Sequence, residues 1–255
     1  MDTFPQEIVD MIIDQLANYI LSSSGKPANI SWYSTISRQR VARTQKYLFE
    51  SVHFDSQSGL EKWCRAIEPN PAGVSRHVHE LSLRRVHQLE GLDSHIRAFA
   101  CIEALIFYGC DILLSPPVAK SFAPLRSTLV RLTIDSASTT YGIITSLLAA
   151  LPHLRHLRAH LLDVFGDLDM IRLPPRVPFF EDADSLDLSV RGGLYHKRID
   201  WIPPSAQFRD LRIDAPAILD KSGRVSRWIA SSSKSLKFLS IKATFQEGAF
   251  LNLFQ

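Results

Sequence analysis

Cysteine is scarce in this chain: three in 255 residues, Cys64, Cys101 and Cys110, with no Cys-x-x-Cys pair. That is too few for a disulfide framework or a four-cysteine metal site. An odd, sparse set in a chain this long reads as free thiols in a reducing compartment. Charge of one sign is lacking too, and a formal net charge of +3 makes no case for nucleic acid as partner. Nor is there a long apolar run. Thr139 to Leu154 is uncharged but contains Thr140, Thr145, Ser146 and Pro152, where a membrane span needs about 20 apolar residues. Asp10 and Asp14 interrupt the first apolar stretch and no basic segment precedes it, so no signal peptide is expected. Also missing in any usable context are a Gly-rich phosphate loop, a Ser-His-Asp arrangement and a paired-carboxylate motif. These absences lead to the expectation of a soluble protein of the cytoplasm or nucleus, neither enzyme nor membrane protein, with no cofactor and no nucleic-acid partner.

What is present is ordinary soluble composition, 45% hydrophobic and 22% charged, and a repeat. The pattern apolar-x-x-Leu-x-apolar occurs as VHELSL, IEALIF, LVRLTI, LRHLRA, ADSLDL, FRDLRI and LKFLSI. Its central leucines, Leu81, Leu105, Leu132, Leu157, Leu186, Leu211 and Leu239, are 24, 27, 25, 29, 25 and 28 residues apart. One Leu-x-Leu is common by chance; seven at this spacing are a signal.

Leu-x-apolar with period two is a short strand that sends alternate side chains to one face. Between the strands, YGIITSLLAALPHL puts Ile143, Ile144, Leu147, Leu148 and Leu151 on one helical face. VSRWIASSSKSL does the same with Val225, Trp228 and Ile229. IRLPPRVPFFEDA has no helical period and reads as an extended, proline-rich connection. Strand plus helix in about 25 residues stacks into a right-handed solenoid with parallel strands. The alternative is an ordinary α/β domain with chance spacing.

This pattern resembles the leucine-rich repeat family. The residue three places after the last strand position, asparagine or cysteine in that family, is Cys110 in one repeat. Elsewhere it is Val86, Ala137, Leu162, Arg191, Pro216 and Thr244, so an irregular solenoid is expected. The strand residues between the buried ones would build its concave face. The candidate substrate contacts there are Ile106, Tyr108, Arg131, His156, Arg158, Asp187 and Arg212, an apolar anchor beside charge. LKFLSI is followed only by KATFQEGAFLNLFQ, little for a terminal cap, which allows that the repeats continue past Gln255.

Residues 1–55 carry no copy of the repeat and read as three short helices. In the first, Phe4, Ile8, Val9, Met11, Ile12, Ile13 and Leu16 cover an arc of roughly 200°, about twice what one core requires. Thr3 can cap it and Pro5 suits its first turn. About fifty residues bury little core alone, so a second apolar face points to a partner surface. FPQEIVDMIIDQL resembles the opening of an F-box, and STISRQRVARTQKYLFESVHF is similar to the second half of fungal members. The resemblance covers residues 4–54, and Phe4, Pro5, Glu7, Ile8, Ile12 and Leu16 match motif positions. It implies docking on the Skp-type adaptor of a cullin–RING ubiquitin ligase, while the repeats hold an unidentified protein substrate. The open alternative is a helix that simply caps the first repeat.

The expected organisation is therefore α/β. A short N-terminal helical F-box-like module spans 1–55, and an irregular leucine-rich-repeat solenoid with parallel strands and about seven degenerate repeats spans 56–255. Two other clusters read more simply. His153, His156 and His160 have a zinc-like spacing, but the Leu154-x-x-Leu157 pattern makes much of that stretch strand. Arg38, Arg40, Arg43 and Lys46 suit a nuclear or nucleic-acid patch, yet a solvated helix face explains them as well.

Overall fold

Apolar side chains at period two can all be buried only if the backbone is extended and one face of the strand meets a core. That is what the repeats do. A computed structural model describes residues 49–67, 75–85, 101–110, 122–165, 179–190, 205–216 and 223–244, with 11, 99, 177, 202 and 203 besides. Its strands are β1 (Ser51–Phe54), β2 (Glu80–Arg84), β3 (Ala104–Tyr108), β4 (Arg131–Thr140), β5 (His156–Phe165), β6 (Ser185–Val190), β7 (Asp210–Pro216) and β8 (Phe238–Thr244). They form one open sheet in the order β1 to β8, every neighbouring pair parallel. The fold is α/β.

The register follows the central residue of each repeat. Leu81 pairs with Leu105, Leu105 with Leu132, and so on through Leu157, Leu186, Leu211 and Leu239. From Leu81 to Leu211 each of these leucines is buried, as is the apolar residue two places on: Leu83, Phe107, Ile134, Ala159, Leu188 and Ile213. The apolar residue three places before is buried too, at Val78, Ile102, Leu129, Leu154, Ala183 and Phe208. All join one core. Strand entry is fixed by a recurring backbone contact, in which one carbonyl accepts two successive N–H groups of the next strand. Glu103 O takes Val130 N and Arg131 N, both at 2.9 Å, and the same happens at Glu50, His79, Val130, Arg155, Asp184 and Arg209.

Short helices and turns cover the apolar face: α1 (Gln57–Ile67), a 3-10 turn (Ala123–Leu125), α2 (Tyr141–Ala150), α3 (Phe179–Asp182) and α4 (Arg224–Ser231). Leu60 of α1 is buried, and Trp63 stacks on Phe99 with centroids 4.9 Å apart and meets Phe54 edge-on at 5.7 Å. From α2, Ile144, Leu147 and Leu148 enter the core; from α4, Val225 and Trp228 do. The indole N–H of Trp228 donates to Pro203 O at 3.0 Å, so its polar atom is satisfied inside the core. Cys110 is buried and its thiol points at Leu83 O and Tyr108 O, each 3.3 Å away.

The structure corrects the sequence reading at two places. The stretch that follows the last helix expected in residues 1–55, taken as free of the repeat, belongs to the sheet: Ser51–Phe54 is strand β1, paired with β2. The supposed extended connection around Phe179 contains the one-turn helix α3, whose Phe179 and Phe180 are buried. Four residues hold too little of a helical period to show in sequence. The remaining helices expected in residues 1–48, with the adaptor positions Phe4, Pro5, Glu7, Ile8, Ile12 and Leu16, lie outside the described residues. Met11 is helical and half exposed.

Candidate functional site

Parallel sheets ordinarily have both faces covered. Here the helices and turns share one core on one face, and the other face is exposed or half-buried at most described positions, with the small residues Ser82, Ala104 and Ser189 buried among them. On that face lie three positions of each strand: the residue before the central one, the residue after it, and the one three after. Every candidate contact read from the sequence falls there. Arg131 and His156 precede their leucines, Ile106, Arg158, Asp187 and Arg212 follow theirs, and Tyr108 is three places on. Tyr108 is 40% exposed. Ile106, His156 and Asp187 are half-buried, and the three arginines are exposed.

The β4–β8 half of the face is internally paired. Asp187 is its hub: Arg158 Nε lies 3.5 Å from one carboxylate oxygen and His160 Nε2 lies 3.3 Å from the other. The other ring nitrogen of His160 is 3.9 Å from Asp135. The hydrogen bond from His160 holds the Asp187 carboxyl below its ordinary range; partial burial opposes this, and the charges of His160, Arg158 and Arg212 add to it. Arg212 also stacks its guanidinium over Phe238, 4.8 Å from the ring centroid. Lys242 sits 3.7 Å from Asp214. A shallow groove of about 220 Å³ runs across these strands, lined among others by Arg131, His156, Arg158, Asp187, Asp210 and Arg212.

The β2–β4 half is different. Arg84, Arg85, Tyr108 and Gly109 line a cavity of about 450 Å³. Arg84 closes β2, and Arg85 lies beyond the strand. The period-two alternation puts Arg84 on this face, although it is not among the candidate contacts read from the sequence, and Arg85 falls outside the alternation. The doublet of two basic residues at the end of a strand was the available signal.

Two groupings on this face have the residue types of a chemical site. Ser185 Oγ is 2.9 Å from His156 Nδ1, which has the distance of a nucleophile and its base. Among the described residues His156 has no carboxylate on its second nitrogen, so the group that orients the base in such a pair is absent. In β5, His156 and His160 share the open face, while His153 lies before the strand in a turn. No group of three metal-ligating side chains occurs among the described residues, and none of their helices is long and apolar enough to cross a membrane. The face carries paired charge, an exposed tyrosine and a basic cavity on one parallel sheet.

No family model, curated protein or solved structure matches this chain.

Proposed function

We propose that this protein is the substrate-recognition subunit of a Skp-adaptor, cullin and F-box ubiquitin ligase. In this reading the sheet is the substrate arm of an irregular leucine-rich-repeat solenoid, its open face holds a protein target, and the F-box-like segment docks on the adaptor. The chain performs no chemistry of its own and works in the cytoplasm or nucleus. One observation carries the arm: strands repeating every 24–29 residues lie side by side in sequence order, each central leucine level with the next. A parallel sheet with an exposed Tyr108 and paired charge around Arg158 and Asp187 is a surface of the kind that protein partners use. The adaptor half rests on the F-box-like residues Phe4, Pro5, Glu7, Ile8, Ile12 and Leu16.

Calorimetry with purified full-length chain and a Skp-type adaptor tests it. Binding is expected, and Ile8→Asp with Ile12→Asp should weaken it by several kcal/mol, because two carboxylates would be buried without partners. Absence of binding by the wild-type protein at concentrations of about tens of micromolar rules the ligase reading out.

A second reading has an observation of its own. The F-box-like stretch runs to residue 54, and its last four residues are strand β1 of the sheet. A segment continuous with the sheet can serve as the cap of the first repeat. The chain would then be a protein-interaction scaffold unconnected with ubiquitin transfer, and its target would still meet the open face.

A further inference from the structure

Basic residues on the β4–β8 half of the open face are mostly occupied: Arg158 by Asp187, Lys242 by Asp214, Arg212 by the Phe238 ring. Arg84, Arg85 and Arg131 are not. All three are exposed, and none has an ion-pair partner among the described residues. Three guanidinium groups with no ion pair among the described residues leave a local positive field at this end of the face that an anionic partner would satisfy.

The backbone adds an independent reason. Arg85 has φ 53°, in the left-handed region, and its counterpart after the next strand is Gly109 with φ 56°. The chain makes the same bend twice, once with the residue that adopts it freely and once with one that pays about 1–2 kcal/mol of steric strain. An arginine kept at such a position is a pointer to function. Both residues border the cavity of about 450 Å³, a volume within the range of binding pockets. Tyr108 forms another part of its wall, and Ile106 is two residues before it on the same face.

Spacing sets the shape of the partner. Arg84 is level with Tyr108, and Arg131 is level with Ala104 on the strand beyond. Four residues along the strands at about 3.3 Å and two strand spacings of about 4.8 Å place the two arginines' Cα atoms roughly 16 Å apart. An extended peptide of about five residues covers that distance. Glu80 lies in the row of Arg131 and Asp135 in the row of Arg84, so the positive surface is broken up; it suits a segment with a carboxylate at each end and an uncharged middle rather than a continuous phosphate backbone.

We propose that the β2–β4 end of the open face docks an extended acidic segment of a protein partner, with carboxylates at Arg84–Arg85 and at Arg131 and an apolar side chain between them on Ile106 and Tyr108. This names the target chemistry for the face assigned above to protein recognition, and it holds for either reading of the N-terminal segment.

A displayed library of random seven-residue peptides, selected on the full chain, tests the proposal. Selection should enrich Asp or Glu near both ends and Leu, Ile, Phe or Tyr in the middle. A synthetic peptide of the enriched sequence should lose at least about tenfold in affinity with Arg84→Gln plus Arg85→Gln, and about as much when its acids are replaced by their amides. Arg126→Gln, an exposed arginine off the face, should bind as wild type. Arg85→Gly guards against a folding artefact: relief of strain offsets the freer unfolded chain, so its melting temperature should hold while peptide affinity falls. Enrichment without acidic residues, unchanged affinity in the double variant, or displacement of the peptide by a single-stranded oligonucleotide overturns the proposal. Adaptor binding measured on the same variants should not change. Loss of the adaptor interaction alone therefore condemns the ligase reading, and loss of acidic selection alone condemns this one.

Discussion

Asp187 shows what a single side chain contributes on this face. It lies between Arg158 and Arg212 in the register and accepts from His160. Its carboxyl is lowered from an ordinary 3.8, so the folded state favours the charged form. The sign follows: the folded protein releases this proton more readily than the unfolded chain, so the stability it contributes is present above about pH 4 and is lost as pH falls through the lower folded value. Asp187→Asn should cost roughly 1 kcal/mol at neutral pH, with the difference from wild type shrinking below pH 3.8. Urea melts of both proteins from neutral to acid pH check this. A difference that grows toward acid would mean the carboxylate is not held by its neighbours. None of these pairings was legible in the sequence. Asp187 and His160 are 27 residues apart, and only the register brings them level.

At the scale of elements, the strands were legible because their period is two and their leucines recur. The positions on the open face followed from the same alternation, which is why residues as distant as Ile106 and Arg212 were assigned to one surface. The strand that escaped was β1. Its stretch, Phe49-Glu50-Ser51-Val52-His53-Phe54, has the repeat's apolar spacing with valine at the centre instead of leucine. Val52 pairs with Leu81, Val52 and Phe54 are buried, and Phe49 packs against the core. A pattern written for leucine passes over it, although burial asks only for an apolar side chain of suitable size. Phe54→Ala should therefore cost about 3–5 kcal/mol, the loss of a buried aromatic ring that meets Trp63 edge-on. A cost below about 1 kcal/mol in denaturant unfolding would place β1 outside the cooperative core.

At the scale of the sheet, each described strand has only its sequence neighbours beside it among the described residues. A lesion in one strand therefore reaches a distant strand only by way of every strand between them. Stacks of this kind hold together by nearest-neighbour terms and can open from one end. The described sheet is unequal at its ends. In β8, Leu239 and Ile241 are 43% and 52% exposed, where the matching residues of β7 are buried. Leu211→Ala in β7 leaves a cavity costing about 2–5 kcal/mol. It should speed amide hydrogen exchange in β6 to β8 by more than about tenfold while β2 and β3 keep most of their protection. The acidic-peptide site lies on β2 to β4, so its affinity in the same variant should stay within about twofold of wild type. Exchange mass spectrometry with peptide-level resolution reads both regions in one experiment. A uniform rise along all the strands would show instead that the sheet opens as a single unit, and peptide affinity would then fall with global stability rather than with the integrity of its own strands.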